Sequence, residues 1–292
     1  MPLFTRHDGD LVRGETPMRR IMPYLMPSRN GSLVLHDSVF QIQDTRAWLK
    51  AYNLAHKEHA TLFHLLAYAA AQALHARPAL NRFVTGGRIY QRRGVQVSFV
   101  VKKELKDEGA STTVRLAVMP GEPFRVFADR LAGIVHEAQH TDRAVDRETA
   151  LIMHLPGFLV RGLVALARGL DRWNLFPRFM TRPDPILASH FLANLGSAGI
   201  SDAYHHLYEY GTVSIFGAVS APCRMPFVEG DDVVVRPGVR VRWSFDERIH
   251  DAFYSARSLN LVRRIVEAPH EHLGAPEGEP AFSAAGSRLP HR

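Results

Sequence analysis

The clearest hydrophobic pattern lies near the C-terminal end of the chain, where alternation gives way to helical spacing. Apolar residues alternate with polar ones over 239–245, which predicts a half-buried β-strand. Apolar residues then recur at helical spacing over 253–259, which predicts that a helix follows directly. The junction between the two elements holds five ionisable residues: Asp246, Glu247, Arg248, His250 and Asp251.

Such a charged junction beside apolar sequence has two interpretations. Buried or half-buried charges must be paired, and clusters of this kind mark functional sites more often than chance. The same residues are also typical of a solvated turn in which an Asp caps the following helix. Spacing alone leaves both interpretations open.

Apolar patterning elsewhere predicts strands and helices that are mixed along the chain. Residues 33–42 predict a long strand, and the next residues to about 55 predict a helix capped by Asp44 or Thr45. Residues 61–76 are apolar nearly all round, which predicts a buried helix that begins at Thr61 and ends before Pro78. Further strands are predicted at 88–90, 95–102, 111–118 and 212–222, a turn and strand at 233–245, and an amphipathic helix at 122–140.

Residues 151–180 form an apolar segment that also carries four arginines. A basic amphipathic helix of this kind can lie on an anionic membrane surface or cover an apolar tunnel. More often such a helix packs on its own domain or on a neighbouring subunit, and another protein partner is a further alternative. The four arginines are Arg161, Arg168, Arg172 and Arg178.

Composition places the chain among ordinary globular proteins. It has 292 residues, of which 46% are hydrophobic and 22% charged, enough for one large domain or two small ones. The net charge of +7 would suit nucleic acid, an anionic membrane or an anionic cofactor. The cationic residues are scattered and not interleaved with aromatic residues, so we do not expect nucleic-acid binding.

The termini and the single cysteine add expectations about compartment and order. Cys223 is the only cysteine, which excludes an intrachain disulfide and favours the cytoplasm. The first residues are polar and charged, and no uncharged apolar run reaches about 18 residues, so neither a signal peptide nor a membrane span is predicted. Residues 1–17 are predicted to form a flexible arm, and 268–292 a disordered tail.

The charged junction resembles the active-site signature of the dihydrolipoamide acyltransferase catalytic domain, which reads Asp-His-Arg-x-x-Asp-Gly. Here Asp246, Arg248 and Asp251 match it, while Glu247 replaces the catalytic His and Ala252 replaces the Gly. The resemblance extends, more weakly, over 18–267 and implies a free-standing, divergent relative. It implies a two-layer α/β fold with a mixed sheet, of the chloramphenicol acetyltransferase type, assembled as a trimer or a larger complex of trimers.

Other segments of the chain add to this resemblance. The segment ASHFLANLGSAGI resembles the family's Asn-x-Gly-Ser-x-Gly, so that Ser197 would steady the oxyanion of the reaction. MRRIMPYLM corresponds to the family's arginine-bearing first element, and PALNRFV to its Pro-x-Leu-Asn segment. The residues STTVRLAVMPG differ from the strand that lines the coenzyme site in the family. The resemblance implies a coenzyme A thioester, or another acyl thioester, as acyl donor.

Three functional hypotheses follow from the altered signature. In the first, Glu247 is a base or positioning group, Ser197 the oxyanion donor, and Asp251 the partner of a buried arginine, Arg19 or Arg20. A glutamate carboxylate is about 4 pK units less basic than a thiolate, a deficit of roughly 5–6 kcal/mol, which burial partly offsets. In the second, the chain is an inactive scaffold or an acyl-ligand-binding pseudoenzyme.

The third hypothesis moves the base to a histidine. His250 is three positions from the place of the signature His, and on a regular strand it would point to the other face unless a turn re-aims it. The adjacent pair His205 and His206, interpreted as lying on a helix, is the other candidate. These residues lack the spacing of metal ligands, so no metal site is predicted.

Overall fold

The computed structural model describes residues 5–102, 111–140, 150–178, 184–278 and 282–283. Within them, one sheet has seven strands in the order β2-β10-β8-β7-β5-β6, with β9 paired to β10. Strands β7 and β8 are parallel to each other, as are β5 and β7, and the other pairs are antiparallel. The strands are β2 (Leu33–Gln41), β5 (Val95–Lys102), β6 (Ser111–Val118), β7 (His190–Asn194), β8 (Ile215–Val219), β9 (Cys223–Glu229) and β10 (Asp232–Asp246).

A smaller antiparallel sheet and a layer of helices complete the domain. The small sheet has the order β1-β4-β3, formed by β1 (Gly9–Leu11), β3 (Arg82–Thr85) and β4 (Arg88–Arg92). The main core lies between one face of the large sheet and four helices. These are α2 (Gln43–His56), α3 (Leu62–Ala76), α4 (Phe124–His140) and α6 (Ala252–Glu267). Further helices are α1 (Pro17–Leu25), α5 (Gly157–Arg172) and α7 (Pro269–Leu273). This two-layer arrangement with a mixed sheet confirms the predicted fold class.

Helix α3 is the central helix of the layer, as its apolar sequence predicts. Every residue from Leu65 to Leu74 is buried. Its first turn is closed by Thr61, whose backbone N–H donates to Nδ1 of His64. The helix ends at Ala76, two residues before Pro78. The sequence prediction of a buried helix is therefore confirmed for its central ten residues.

Strand β10 is longer than predicted, because the expected turn at its start is part of the strand. Its first half pairs with β9, and from Gly238 onwards it pairs with β2. Pro237 lies at this change of partner, where its carbonyl accepts a hydrogen bond from Ile42. A proline has no N–H to donate, so it is tolerated where a strand exchanges neighbours.

Three local predictions are wrong. Residues 9–11 of the predicted flexible arm form β1, and the nearby Arg6 is buried between Asp8 and Asp171. Helix α7 lies in the predicted disordered tail, where Leu273 is 3% exposed. The predicted cap of α2 is also wrong, because the N-cap is Ile42 and Thr45 is inside the helix, donating to the Val266 carbonyl.

Candidate functional site

A buried ion pair fixes the turn that follows β10. Nε and Nη2 of Arg248 donate to the two carboxylate oxygens of Asp246 over 2.8 and 2.7 Å. Asp246 is fully buried and Arg248 is 3% exposed. A third donor of Arg248 reaches the Met26 carbonyl at 2.9 Å, and the Ser32 hydroxyl donates to Asp246 at 3.3 Å. Bidentate geometry of this kind fixes the orientation of both groups, so the signature turn is held against the start of β2.

Glu247 points away from this pair into a separate cavity. Its backbone is fixed at both ends, because its N–H donates to Ser32 and its carbonyl accepts from Arg19, each over 2.9 Å. Its half-buried carboxylate forms neither a hydrogen bond nor an ion pair with any residue that the structure describes. The cavity has a volume of about 130 Å³ and is lined by Val34, His36, Phe245, Glu247, His250, Ala252, Ser255, Ala256 and Leu259.

The turn also brings His250 into the cavity of Glu247. Residues 247–250 are not extended, so the alternation of a strand, which would separate the two side chains, does not apply. Nδ1 of His250 accepts the backbone N–H of Asp251 at 2.9 Å, which places the proton of the neutral ring on Nε2. Burial lowers the pKa of His250, with Asp251 opposing the shift. Nδ1 of His250 also lies 3.3 Å from a carboxylate oxygen of Asp251, so a protonated ring would form an ion pair with that residue.

Asp251 caps α6 and forms only a loose contact with an arginine. Its carboxylate accepts the Tyr254 backbone N–H at 2.8 Å, and this hydrogen bond is the main reason that its pKa is lowered. Nη2 of Arg19 lies 3.8 Å from it, and the Asp251 side chain is 52% exposed. The structure thus places Arg19, whose side chain is 18% exposed, beside Asp251 as predicted, but the contact is long and the carboxylate is half exposed. Arg20 is exposed and lines a different cavity, and Arg248 pairs with Asp246 instead.

Ser197 lies near the opposite end of the sheet from Glu247. Its hydroxyl donates to the Asn194 carbonyl at 2.7 Å in the short turn after β7. The adjacent Gly196 packs so closely on Ser220 that a Cβ would come within 2.7 Å of the Ser220 carbonyl oxygen. The backbone N–H of Ser220 donates to the Arg240 carbonyl on β10. Arg240 lies six residues before Asp246 in this strand, which corresponds to a distance of roughly 20 Å. Glu247 and Ser197 of one chain therefore cannot act on the same atom.

The structure does not bring His205 and His206 to this cavity. They lie in an irregular segment rather than on the predicted helix. The His205 ring stacks on Phe216 with centroids 4.0 Å apart, and its carbonyl accepts from the Ser244 hydroxyl. Ser244 and Phe245 point to opposite faces of β10, and Phe245 lines the Glu247 cavity. The His205 alternative is therefore wrong in position.

Sequence reasoning missed the residues that hold the signature from a distance. The Asp246–Arg248 pair is surrounded by Ser32, Arg29 and the Met26 carbonyl. Nη1 of Arg29 lies 4.0 Å from the Asp246 carboxylate. All three residues around the pair are more than 200 positions away in sequence, and no local pattern marks them. In the described part of the chain, no group of three or more His, Cys, Asp or Glu side chains is placed to hold a metal ion. Nor is any described helix long and apolar enough to cross a membrane.

Part of the chain matches a known protein family. Residues 188–274 match the family described as 2-oxoacid dehydrogenases acyltransferase (catalytic domain). The sequence has no match among curated proteins.

Solved structures share the fold at low sequence identity. A probable dihydrolipoamide acetyltransferase from Listeria monocytogenes has a TM-score of 0.58 and 14% identity, covering 88% of this chain and 94% of that one. An Azotobacter vinelandii dihydrolipoamide acetyltransferase has a TM-score of 0.58 and 17% identity, with coverages of 89% and 93%. A chloramphenicol acetyltransferase has a TM-score of 0.55 and 12% identity, with coverages of 88% and 99%. The chain therefore has the chloramphenicol acetyltransferase-like fold, and its segment 188–274 is similar to the catalytic domain of the 2-oxoacid dehydrogenase acyltransferases.

Proposed function

We propose that the chain is an acyltransferase that moves an acyl group from a coenzyme A thioester, or a similar thioester, to a thiol or hydroxyl acceptor. The observation that carries this proposal is the Glu247 carboxylate, which faces a cavity without a partner among the described residues. Nε2–H of His250 supplies a donor to the same cavity. A carboxylate in this position can accept a proton, which is the role of the signature residue in the family.

The proposed reaction uses Glu247 as general base. Its carboxylate takes the proton of the acceptor thiol or hydroxyl, while the sulfur or oxygen attacks the thioester carbonyl. The tetrahedral intermediate then expels the coenzyme thiolate, which takes the proton back from Glu247. His250 would orient the acceptor through Nε2–H. Because carboxylates are weaker bases than imidazole, we expect slower turnover than a histidine would give.

The proposed site lies between two copies of the chain. A volume of about 130 Å³ holds the reacting groups but not a whole cofactor, since drug-sized ligands need roughly 300–1,000 Å³. Ser197 is also too distant within one chain to stabilise the oxyanion. We therefore propose a homotrimer in which Ser197 of one copy faces Glu247 of the next. The exposed apolar residues of the β9–β10 ribbon, Val228, Val233 and Val235, would suit such a contact.

The second candidate is an inactive trimeric scaffold that retains the fold. The replacement of the signature His by Glu247 favours it, as does the altered strand β6. A scaffold would act through an exposed surface, and the described residues 150–172 provide one. An intact cavity at Glu247 is not needed for this function.

Calorimetry with coenzyme A and a panel of acyl-coenzyme A thioesters separates the two candidates. The titration uses the wild type, Glu247→Ala and the matched control Glu137→Ala, which replaces an exposed glutamate of α4. If the proposal is right, a thioester binds all three proteins, and acceptor-dependent thiol release falls at least tenfold in Glu247→Ala only. The assay uses the Cys223→Ser background, because Cys223 is exposed and would react with thiol reagents. A folded trimer that binds no thioester at millimolar concentration would contradict the enzyme proposal and support the scaffold.

A further inference from the structure

Helix α5 leaves the body of the domain along most of its length. None of its residues is buried. Its C-terminal end is anchored, because the Asp171 carboxylate pairs with Arg6 at 2.7 Å and accepts from the Thr85 hydroxyl at 2.6 Å. Asn174, just beyond the helix, donates to the Tyr90 hydroxyl at 3.1 Å. Of the alternatives that the sequence leaves open, packing on its own domain therefore does not describe the N-terminal part of the helix.

The arginines and the leucines of α5 lie on opposite sides of the helix. Arg168 and Arg172 line a cavity of about 550 Å³ between the helix and the body. With 3.6 residues per turn, the leucines at 159, 163, 166 and 170 fall within about 60° on the opposite side. Leu159, Leu163 and Leu166 are 43%, 44% and 58% exposed. The side of the helix that carries Val160 and Asp171 is partly buried against the body, whereas the arginines and most of the leucine face are exposed.

The sequence around α5 is cationic and contains almost no acid. Residues 150–170 include Arg161, Arg168 and His154 but neither Asp nor Glu. Asp171 is the only acidic residue of α5, and its charge is compensated by Arg6. The free surface of the helix therefore combines apolar side chains with uncompensated positive charge. An anionic, apolar partner matches both properties.

The width of the apolar face of α5 favours a lipid surface over a second copy of the helix as its binding partner. Exposed apolar side chains from Phe158 round to Leu163 lie in an arc of about 140° that contains no charged residue, whereas a seam between two paired helices is narrower. The apolar surface also continues before the helix, where Leu151 and Met153 are 73% and 67% exposed. Phe158, in the first turn, is 73% exposed. Such a broad face suits shallow insertion into an interface.

We propose that α5 docks the protein on an anionic lipid surface, lying parallel to the surface with its leucine face among the acyl chains. The arginines on the other side of the helix would reach the headgroups, because long cationic side chains extend to the polar layer. This inference is independent of the proposed acyl transfer, since none of the residues of α5 lines the Glu247 cavity.

Vesicle sedimentation of the full chain tests the proposal. We compare vesicles of phosphatidylcholine alone with vesicles that also contain phosphatidylserine, at low and at high salt. The wild type should sediment with the anionic vesicles at low salt and be released by high salt. Arg161→Gln with Arg168→Gln should weaken binding by about 25-fold, since each arginine near an anionic surface contributes roughly fivefold. Leu163→Asp with Leu166→Asp should abolish it.

Matched controls lie on α2, which is also exposed on its outer side. Arg46→Gln and Leu54→Asp change an exposed arginine and a leucine that is 81% exposed, and both should bind like the wild type. Trp173 gives a second readout, because it is 44% exposed while Trp48 and Trp243 are buried. Its fluorescence should shift to the blue with anionic vesicles, and Trp173→Phe should remove that shift.

Two results would overturn the proposal. One is an absence of sedimentation with anionic vesicles at low salt, or an equal loss in the α2 controls. The other is evidence that the leucine face joins copies of the chain. In that case Leu163→Asp with Leu166→Asp would lower the mass measured by analytical ultracentrifugation, and the wild type would not bind vesicles.

Discussion

At the scale of single residues, the signature turn depends on one buried carboxylate. Asp246 compensates Arg248 and lies within 4.0 Å of Arg29, and both arginines are buried. Removing one member of a buried pair leaves the other charge without a partner, which typically costs about 3–5 kcal/mol. The pair thus gives Asp246 and Arg248 a structural role that does not depend on which residue occupies position 247.

We predict that Asp246→Asn lowers the free energy of unfolding by about 3–5 kcal/mol, measured by urea denaturation. The matched control is Asp37→Asn on β2. Asp37 pairs with Arg242 at 2.9 Å but is 35% exposed, so this change should cost about 1 kcal/mol or less. Equal losses in the two variants would show that the Asp246 pair does not stabilise the fold.

His190 is a second residue whose burial makes a prediction. It is 1% exposed in β7, neither ring nitrogen has a hydrogen-bond partner among the described residues, and its neighbours include Leu74, Trp243 and Phe245. Burial lowers the pKa of His190 to about 4 from an ordinary value of 6.5. The folded state therefore holds fewer protons than the unfolded state in that range.

Stability should accordingly fall as the pH falls from 6.5 to about 4, and the His190 contribution should be constant above this range. The slope from one such group reaches roughly 1.4 kcal/mol per pH unit. We predict that His190→Leu removes this part of the slope in urea unfolding at a series of pH values. His59→Gln, which replaces an exposed histidine, should leave this part of the slope unchanged. A slope unchanged by His190→Leu would refute the assignment.

At the scale of elements, close packing joins β7, β8 and β10. Gly217 of β8 faces Leu192 of β7 and Trp243 of β10, and an added Cβ would come within 2.7 Å of both side chains. In α4, by contrast, Gly133 is exposed and an added Cβ would meet nothing within 4 Å.

The same substitution should therefore have opposite effects at the two positions. Gly217→Ala should destabilise the protein by about 1–3 kcal/mol through overpacking. Gly133→Ala should stabilise it by about 0.5–1 kcal/mol, because alanine favours the helix. Thermal unfolding of both variants measures the two signs, and a stabilised Gly217→Ala would contradict the packing that the structure shows.

At the scale of the whole molecule, local patterns predicted the elements but not how distant segments meet. The periodicity of 61–76 and 239–245 identified α3 and the end of β10, since both patterns reflect burial on a regular backbone. The turn that re-aims His250 depends on the Asp246–Arg248 pair and on contacts to Met26 and Ser32, which no local spacing encodes. The strand β1 was missed for the same reason, because its partner β4 is about 80 residues away.

The distance between Ser197 and Glu247 is also a property of the whole sheet, and it leads to a test of the proposed trimer. We predict that Ser197→Ala and Glu247→Ala each abolish acyl transfer, and that a mixture allowed to exchange subunits regains activity. An active site then takes Glu247 from a Ser197→Ala copy and Ser197 from the adjacent Glu247→Ala copy. Random mixing in equal amounts should therefore restore about a quarter of the sites. Re-mixed Glu247→Ala alone, carried through the same exchange, is the control. No recovery in a mixed population, shown by mass spectrometry to contain hybrid trimers, would mean that the two residues do not share a site.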